Sequence, residues 1–390
     1  MNLCSDDRAQ SLQVGAVLLF GFIILALTIF QAEAVPEENK EVEFDHSQEV
    51  AEDMVGFYTA IFETVIEGEP RTASITLGTD YNDRLFFIYP PPASGALQTT
   101  EPRQLQLHNV TAVEDPDTNQ SFDNYWRNET RNYTTRAITY SANYRELTGT
   151  ADYRIEYGVL AAQYPSTTQL RLADSHQPIV SDMNKDDKEA EIDLVLVDGD
   201  LQKISPDTEP VIPQRVTDST RINVTNATNT SSITLDLPTG LPAENWNTSN
   251  PDSMLYEQPA VDNVTVNERN VSVQLNSSFD YNLTLHKVDV GSAATEPEPT
   301  YIRNVSYDGT ESTFQVRDEY NDLADETVKV SVYNTTGGTY NITRNISVLE
   351  GVHTFEPNDP TGVDDECGVS LLTNVSNTSV YERLNVTDSC

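Results

Sequence analysis

The sequence predicts a mainly β protein: an N-terminal transmembrane helix and an amphipathic helix, then a β-rich ectodomain that ends in a two-sheet sandwich. Three observations carry this. Residues 14–30, VGAVLLFGFIILALTIF, hold no charge, and an uncharged apolar stretch of that kind crosses a bilayer as a helix. Val50, Met54, Phe57, Ile61 and Val65 recur at intervals of four, three, four and four, the period of one helical face. Beyond Gly68 the apolar residues alternate or form short runs broken by Pro, Gly, Asn and Asp, the pattern of strands and turns.

Taken in order, residues 1–9 form a short polar leader and residues 12–31 the transmembrane helix, about 30 Å at 1.5 Å per residue. Residues 35–68 form an amphipathic stalk helix, with Pro36 expected to kink its start and Gly68 to stop it. A first β-rich region spans 69–205. Residues 73–77 alternate, and the apolar run 85–89 ends at three prolines that cannot donate to a ladder. Residues 192–197 lead into Asp198-Gly199, a hairpin signal. Three prolines within 206–213 mark a boundary, and a second β-rich region, 214–295, carries strands near 232–237, 264–275 and 281–290. Residues 296–299, Glu-Pro-Glu-Pro, read as a stiff linker. In 300–390, runs at 314–321, 326–333 and 340–348 around Gly337-Gly338 suit a sandwich.

The charge balance is 62 acidic against 23 basic side chains, a net −39 over 390 residues. Nothing in it neutralises a phosphate backbone, so nucleic acid is excluded as a partner class, and anionic headgroups are disfavoured. The carboxylates are dispersed, as at Asp115, Asp117, Asp123, Asp152, Asp186, Asp187, Glu189, Glu191 and Asp193. Such self-repulsion is relieved where concentrated salt shortens the Debye length to about 3 Å. Lysine is scarce, and the expected habitat is high salt; an ordinary, well-solvated acidic surface is the plainer alternative.

Sequons Asn-X-Ser/Thr occur nineteen times, where random placement gives about five or six. They fall at Asn109, Asn119, Asn128, Asn132, Asn223, Asn226, Asn229, Asn247, Asn263, Asn270, Asn276, Asn282, Asn304, Asn334, Asn341, Asn345, Asn374, Asn377 and Asn385. All follow the apolar helix. The excess predicts an exported, N-glycosylated ectodomain, hence a single-pass topology with the N-terminus cytoplasmic and the rest extracellular.

Motifs for chemistry are missing. His46, His108, His176, His286 and His353 share no metal-ligand spacing, and no H-E-x-x-H, G-x-S-x-G, Walker or G-x-G-x-x-G sequence is present. No cofactor and no metal are expected. Asp182, Asn184, Asp186 and Asp193 occupy positions one, three, five and twelve of a calcium-loop frame, but Asp187 replaces the turn glycine; a solvated acidic loop is the preferred reading. Of three cysteines, Cys4 lies in the leader, and Cys367 and Cys390 are expected to pair outside the cell, with two isolated thiols as the alternative.

Arg8-Ala9 followed by Gln10-Ser11 ahead of the apolar run resembles the class III signal of archaeal pilins. That resemblance implies cleavage between Ala9 and Gln10, with the helix kept on the mature chain. The acidic residue that bacterial pilins place five positions in is absent, since Val14 stands there. A plain anchor and a cleaved secretory signal at Ala32-Glu33-Ala34 compete with it. Residues 316–323 before the alternating run 328–332 resemble bacterial Ig-like domains of the invasin/intimin type, without the proline expected after Asn321. The whole layout resembles haloarchaeal surface proteins with pilin-like N-termini. The expected function is a non-enzymatic, membrane-anchored surface glycoprotein with a structural, adhesive or pilin-like role. Its expected partners are the membrane, other surface proteins or glycans, and further copies of itself. The alternative is a secreted hydrolase or carbohydrate-binding protein.

Overall fold

The computed structural model describes residues 7–84, 90–112, 127–171, 179–184, 188–217, 221–226, 232–267, 269–291, 300–307, 312–318, 320, 322–323, 326–333, 344–348, 352–355, 368–375 and 378–385. Strand residues far outnumber helical ones among the described residues, so the fold is mainly β behind one long N-terminal helix.

Helix α1 (Asp7–Ile29) passes through one π turn (Phe30–Ala34) into α2 (Val35–Glu67). Pro36 does not break it. The Val35 N–H donates to the Phe30 carbonyl, and this shift of hydrogen-bond register accommodates a residue that brings no N–H of its own. Helical geometry therefore runs unbroken from Gln13 to Glu67. Gly68 ends α2 at φ +79°, its N–H donating to the Thr64 carbonyl, the left-handed conformation that glycine adopts without strain.

The stripe Val50, Met54, Phe57, Ile61 and Val65 is fully buried. It packs against Leu97, Ile138, Tyr140, Ile155 and Leu160 of a six-stranded sheet, and against Val195, Val197, Val288 and Val290 of a second sheet. The six-stranded sheet runs Gln202–Ser205, Ser94–Thr99, Ile138–Asn143, Asp152–Glu156, Val159–Tyr164, Thr167–Arg171, every neighbour antiparallel.

The larger sheet has ten strands among the described residues. Its order is Val261–Asn267, Asn270–Leu275, Thr234–Pro238, Arg103–Ala112, Ile222–Asn226, Asp280–Val290, Glu189–Asp198, Val180–Asn184, with Arg127–Thr135 and Pro213–Arg215 attached beside them. Glu189–Asp198 and Asp280–Val290 pair in parallel over their length. The Arg136 N–H donates to the Val197 carbonyl at 2.8 Å, so the sheet curls back toward itself around Leu107, Tyr133, Leu235, Trp246 and Tyr281.

Two expectations are corrected. The proline-rich stretch 206–213 does not separate two β regions, because strands from both sides of it share the larger sheet. Instead Thr208–Val211 pairs with Ala73–Thr76 in a two-stranded sheet, and Pro213–Arg215 adds to Asp280–Val290. Pro210 is tolerated because a two-stranded sheet leaves each strand an open edge, where a missing N–H costs no ladder bond. Asp198-Gly199 likewise makes no hairpin. The strand before it pairs with Asp280–Val290 and the strand after it with Ser94–Thr99. Gly199 (φ +87°) and Gly291 (φ +98°) end the two parallel strands, and a Cβ on either would fall 2.6 Å or 2.5 Å from the facing main-chain oxygen.

The C-terminal region forms two antiparallel sheets among the described residues. One is Thr300–Tyr307, Ser312–Asp318, Val352–Phe355; the other is Arg344–Val348, Glu326–Tyr333, Gly368–Val375, Thr378–Asn385. The Asp318 carboxylate accepts the N–H groups of Tyr320 and Asp322, both at 2.9 Å. That turn sends Tyr320 into the core of the larger sheet, 5.6 Å from the Tyr133 ring. The 85–89 run, the Gly337-Gly338 turn and the 296–299 linker lie outside the described residues.

Candidate functional site

Three surfaces concentrate functional character: the bare apolar helix, the seam where α2 meets the β-rich part, and the outward face of the larger sheet.

From Val14 to Phe30 the large apolar side chains are exposed, Val17 at 70% and Phe22 at 68%. The helix is long and apolar enough to cross a membrane, as an anchor or as a signal sequence near the N-terminus. Ala9 and Gln10, the expected cleavage pair, lie in the first turns of α1.

The exposure ends at Val35, and polar side chains dock the next four turns. Glu43 is buried. Its carboxylate accepts the Tyr81 hydroxyl and the N–H groups of Arg145 (2.8 Å), Glu146 (2.9 Å) and Leu147 (2.6 Å). Burial pushes this carboxyl up, but the hydrogen bonds from Tyr81 and the three main-chain donors outweigh it and hold the group below its ordinary value. His46 donates from Nε2 to the Thr76 carbonyl at 3.0 Å, leaving Nδ1 to accept from the Tyr144 hydroxyl at 2.6 Å. Burial lowers its pKa against the opposing pull of the Thr76 carbonyl, Glu49 and Asp53. Arg84 spans Glu38 and Asn39, and Asp53 accepts the Thr76 N–H. Sequence periodicity pointed to the apolar stripe but not to this clamp, because its partners lie 23 to 104 residues away.

Beside the seam, two adjoining clefts of about 300 and 420 Å³ share Gln48, Ala51, Tyr153 and Tyr164. Tyr153 and Tyr164 line both, Phe44, Tyr140 and Tyr144 add to the smaller one, and Glu52 is the single carboxylate lining them. They do not present the paired carboxylates of a glycosidase.

On the outward face of the larger sheet, His108 lies 2.9 Å from the Thr130 hydroxyl and 3.0 Å from Asp236. The order hydroxyl, imidazole, carboxylate resembles a hydrolytic relay. It spans three neighbouring strands on an open face, and neither cleft reaches it; as placed it is a cross-strand pairing. His286 pairs similarly with Asp193 at 3.0 Å. Of the calcium frame, Asp182 and Asn184 lie on Val180–Asn184, which pairs antiparallel with the strand holding Asp193, and Asp186 lies outside the described residues. No cluster of three metal-ligating side chains is present among the described residues.

Of the sequon asparagines, Asn132, Asn223, Asn247 and Asn263 are exposed, while Asn109, Asn270, Asn276 and Asn282 are half-buried. Asn128, Asn226, Asn304, Asn345, Asn374 and Asn385 fall on strands. Asn119, Asn229, Asn334, Asn341 and Asn377, like Cys367 and Cys390, lie outside the described residues.

No protein-family model matches the chain. It is 34% identical over 93 residues to an uncharacterised protein of Archaeoglobus fulgidus, a match covering 24% of this chain and 16% of that protein. The chain thus spans about a sixth of the length of that archaeal relative.

Proposed function

We propose that the protein is a membrane-anchored, N-glycosylated surface protein of an archaeon living in high salt, with a structural, adhesive or pilin-like role and no catalytic activity. One observation carries this reading: a single continuous helix is bare and apolar up to Phe30 and locked to a β-rich ectodomain from Val35 onward. A helix shared in this way transmits position and load between a membrane and an ectodomain. The Ig-like reading of residues 300–390 is supported by their two antiparallel sheets, and the archaeal source by the relative. The sequons add to the picture by where they are missing. Residues 1–108 and 133–222, which include both long helices and all six strands of the six-stranded sheet, contain none, so that side stays bare for contact with other proteins or further copies.

The secreted reading has one observation in its favour. The Ala32-Glu33-Ala34 site falls where the bare segment ends, so release before Val35 would leave the docked helix whole. Mass spectrometry of the mature N-terminus, on membrane and medium fractions, separates the two. A Gln10 or Met1 start in the membrane fraction is expected, and a Val35 start in the medium would overturn the anchored reading.

A further inference from the structure

Attaching an N-glycan joins the asparagine Nδ2 to the anomeric carbon of a lipid-phosphate-linked oligosaccharide. The phosphate leaves with the lipid, and Nδ2 loses one proton and keeps the other. In the folded protein the nitrogen must then face open space, with a bulky substituent in place of one of its two N–H donors. Eight sequons have described side chains, and six of them divide on this test.

Two are committed to the fold. Asn109 sits at a bulge in Arg103–Ala112 with φ +59°, a left-handed conformation that asparagine tolerates better than most residues. Its Nδ2 donates to the Ser232 carbonyl at 3.0 Å. Asn276 is held through its side-chain nitrogen, its side-chain oxygen and its main chain. Nδ2 donates to the Pro259 carbonyl at 3.1 Å, Oδ1 accepts the Ser278 N–H and hydroxyl, and its main chain bonds Ala260 and the Tyr281 hydroxyl. Both residues have a structural reason to be asparagine.

Four others face outward. Asn223 lies between buried Ile222 and Val224, and Asn132 beside buried Tyr133. The carbonyl oxygens of Asn132 and Asn247 accept from Gln106 and from the Ser249 N–H, which leaves Nδ2 uncommitted in both. Asn263 stands exposed on the strand Val261–Asn267 at the end of the larger sheet's strand order.

We propose that attachment follows the fold and not the motif: Asn132, Asn223, Asn247 and Asn263 carry N-linked glycans, whereas Asn109 and Asn276 are structural amides and stay unmodified. This rests on the glycoprotein reading and sharpens it, because it assigns the glycans to outward-facing positions.

The test uses the full chain recovered from membranes of a glycosylating haloarchaeal host, with glycopeptide mass spectrometry at each site. Sugar mass is expected at the four exposed positions and none at Asn109 or Asn276. Sugar on Asn109 or Asn276 at the occupancy of Asn223 and Asn263, or bare Asn223 and Asn263 beside other modified sequons, overturns the assignment. A chain with no sugar anywhere overturns the glycoprotein reading beneath it. Independently, Asn109→Gln should lower the melting temperature of the unglycosylated chain by about 2–4 °C, while Asn223→Gln leaves it unchanged; equal melting temperatures would also overturn the structural role.

Discussion

The two parts of the long helix share a backbone and little else. Up to Phe30 apolar side chains surround the axis and every large one is exposed; from Val50 to Val65 they fall on one stripe, with Met54 and Phe57 fully buried. Between these stretches lie Asn39, Glu43 and His46, buried and polar, each hydrogen-bonded to the segments that fold over them. Distribution, not helical propensity, decides which solvent each part meets. A helix apolar all round belongs in lipid, and a striped one belongs against a protein core. The polar stretch adds specificity: a buried carboxylate surrounded by four donors fits one partner geometry and is costly to misplace.

The largest effect should come from breaking the striped part. Phe57→Ala removes a fully buried ring from the contact with both sheets and should cost about 3–5 kcal/mol of the stability of the β-rich part. Phe22→Ala removes an equal ring from the bare part and should leave the melting temperature of the β-rich part unchanged. Thermal unfolding of the detergent-solubilised chain in concentrated salt compares the two. Similar losses from both variants would mean that the parts are not energetically separate.

What the sequence disclosed follows the same division. The bare segment, the stripe and the Gly68 stop were legible because each is a local pattern. Several strands were legible too, among them Ala73–Thr76, Glu189–Asp198 and Asp280–Val290. Their partners were not. The parallel pairing of the last two joins residues about ninety apart, and local alternation carries no record of that distance. Pro206, Pro210 and Pro213 looked like a linker because proline interrupts central ladders, yet here Pro210 and Pro213 serve short edge strands and Pro206 lies in the bend before them. Glu43 was one acidic residue among 62. Only the loop 145–147 arriving from elsewhere gives it a role, just as Thr130 and Asp236 give one to His108.

The clamp supplies the intermediate effect. Glu43→Gln keeps the shape but replaces one accepting oxygen by a donor facing N–H groups, and should cost about 1–3 kcal/mol. Acid should act in the same direction. Both His46 and Glu43 have pKa values lowered by folding, so the unfolded chain binds the extra protons first and stability falls as pH drops. The contribution of His46 is whole above about pH 6.5 and that of Glu43 above about pH 4.5; each is lost as pH falls through its lowered folded value. Urea midpoints from pH 8 to pH 3 should therefore decline in two stages, with the later stage absent from Glu43→Gln. A midpoint that rises on acidification would contradict the sign.

The smallest effect should lie at the junction. Pro36 follows the π turn in which the Val35 N–H reaches the Phe30 carbonyl, one residue into the docked part. Pro36→Ala restores an N–H able to bond the preceding turn, so the helix gains a hydrogen bond at a point that contacts little of the core. The stability of the β-rich part should change by about 1 kcal/mol or less, while amide hydrogen exchange over residues 30–37 slows. The variant thus asks whether the division between the parts is made by the proline or by the side chains on either side of it. If the exposed and docked patterns decide, as Val17 and Phe57 imply, a regular α-helix through the junction leaves membrane partition and the melting of the β-rich part as they were. A loss as large as that from Glu43→Gln would instead make the π turn part of the docked unit, and move the boundary from Val35 back to Phe30.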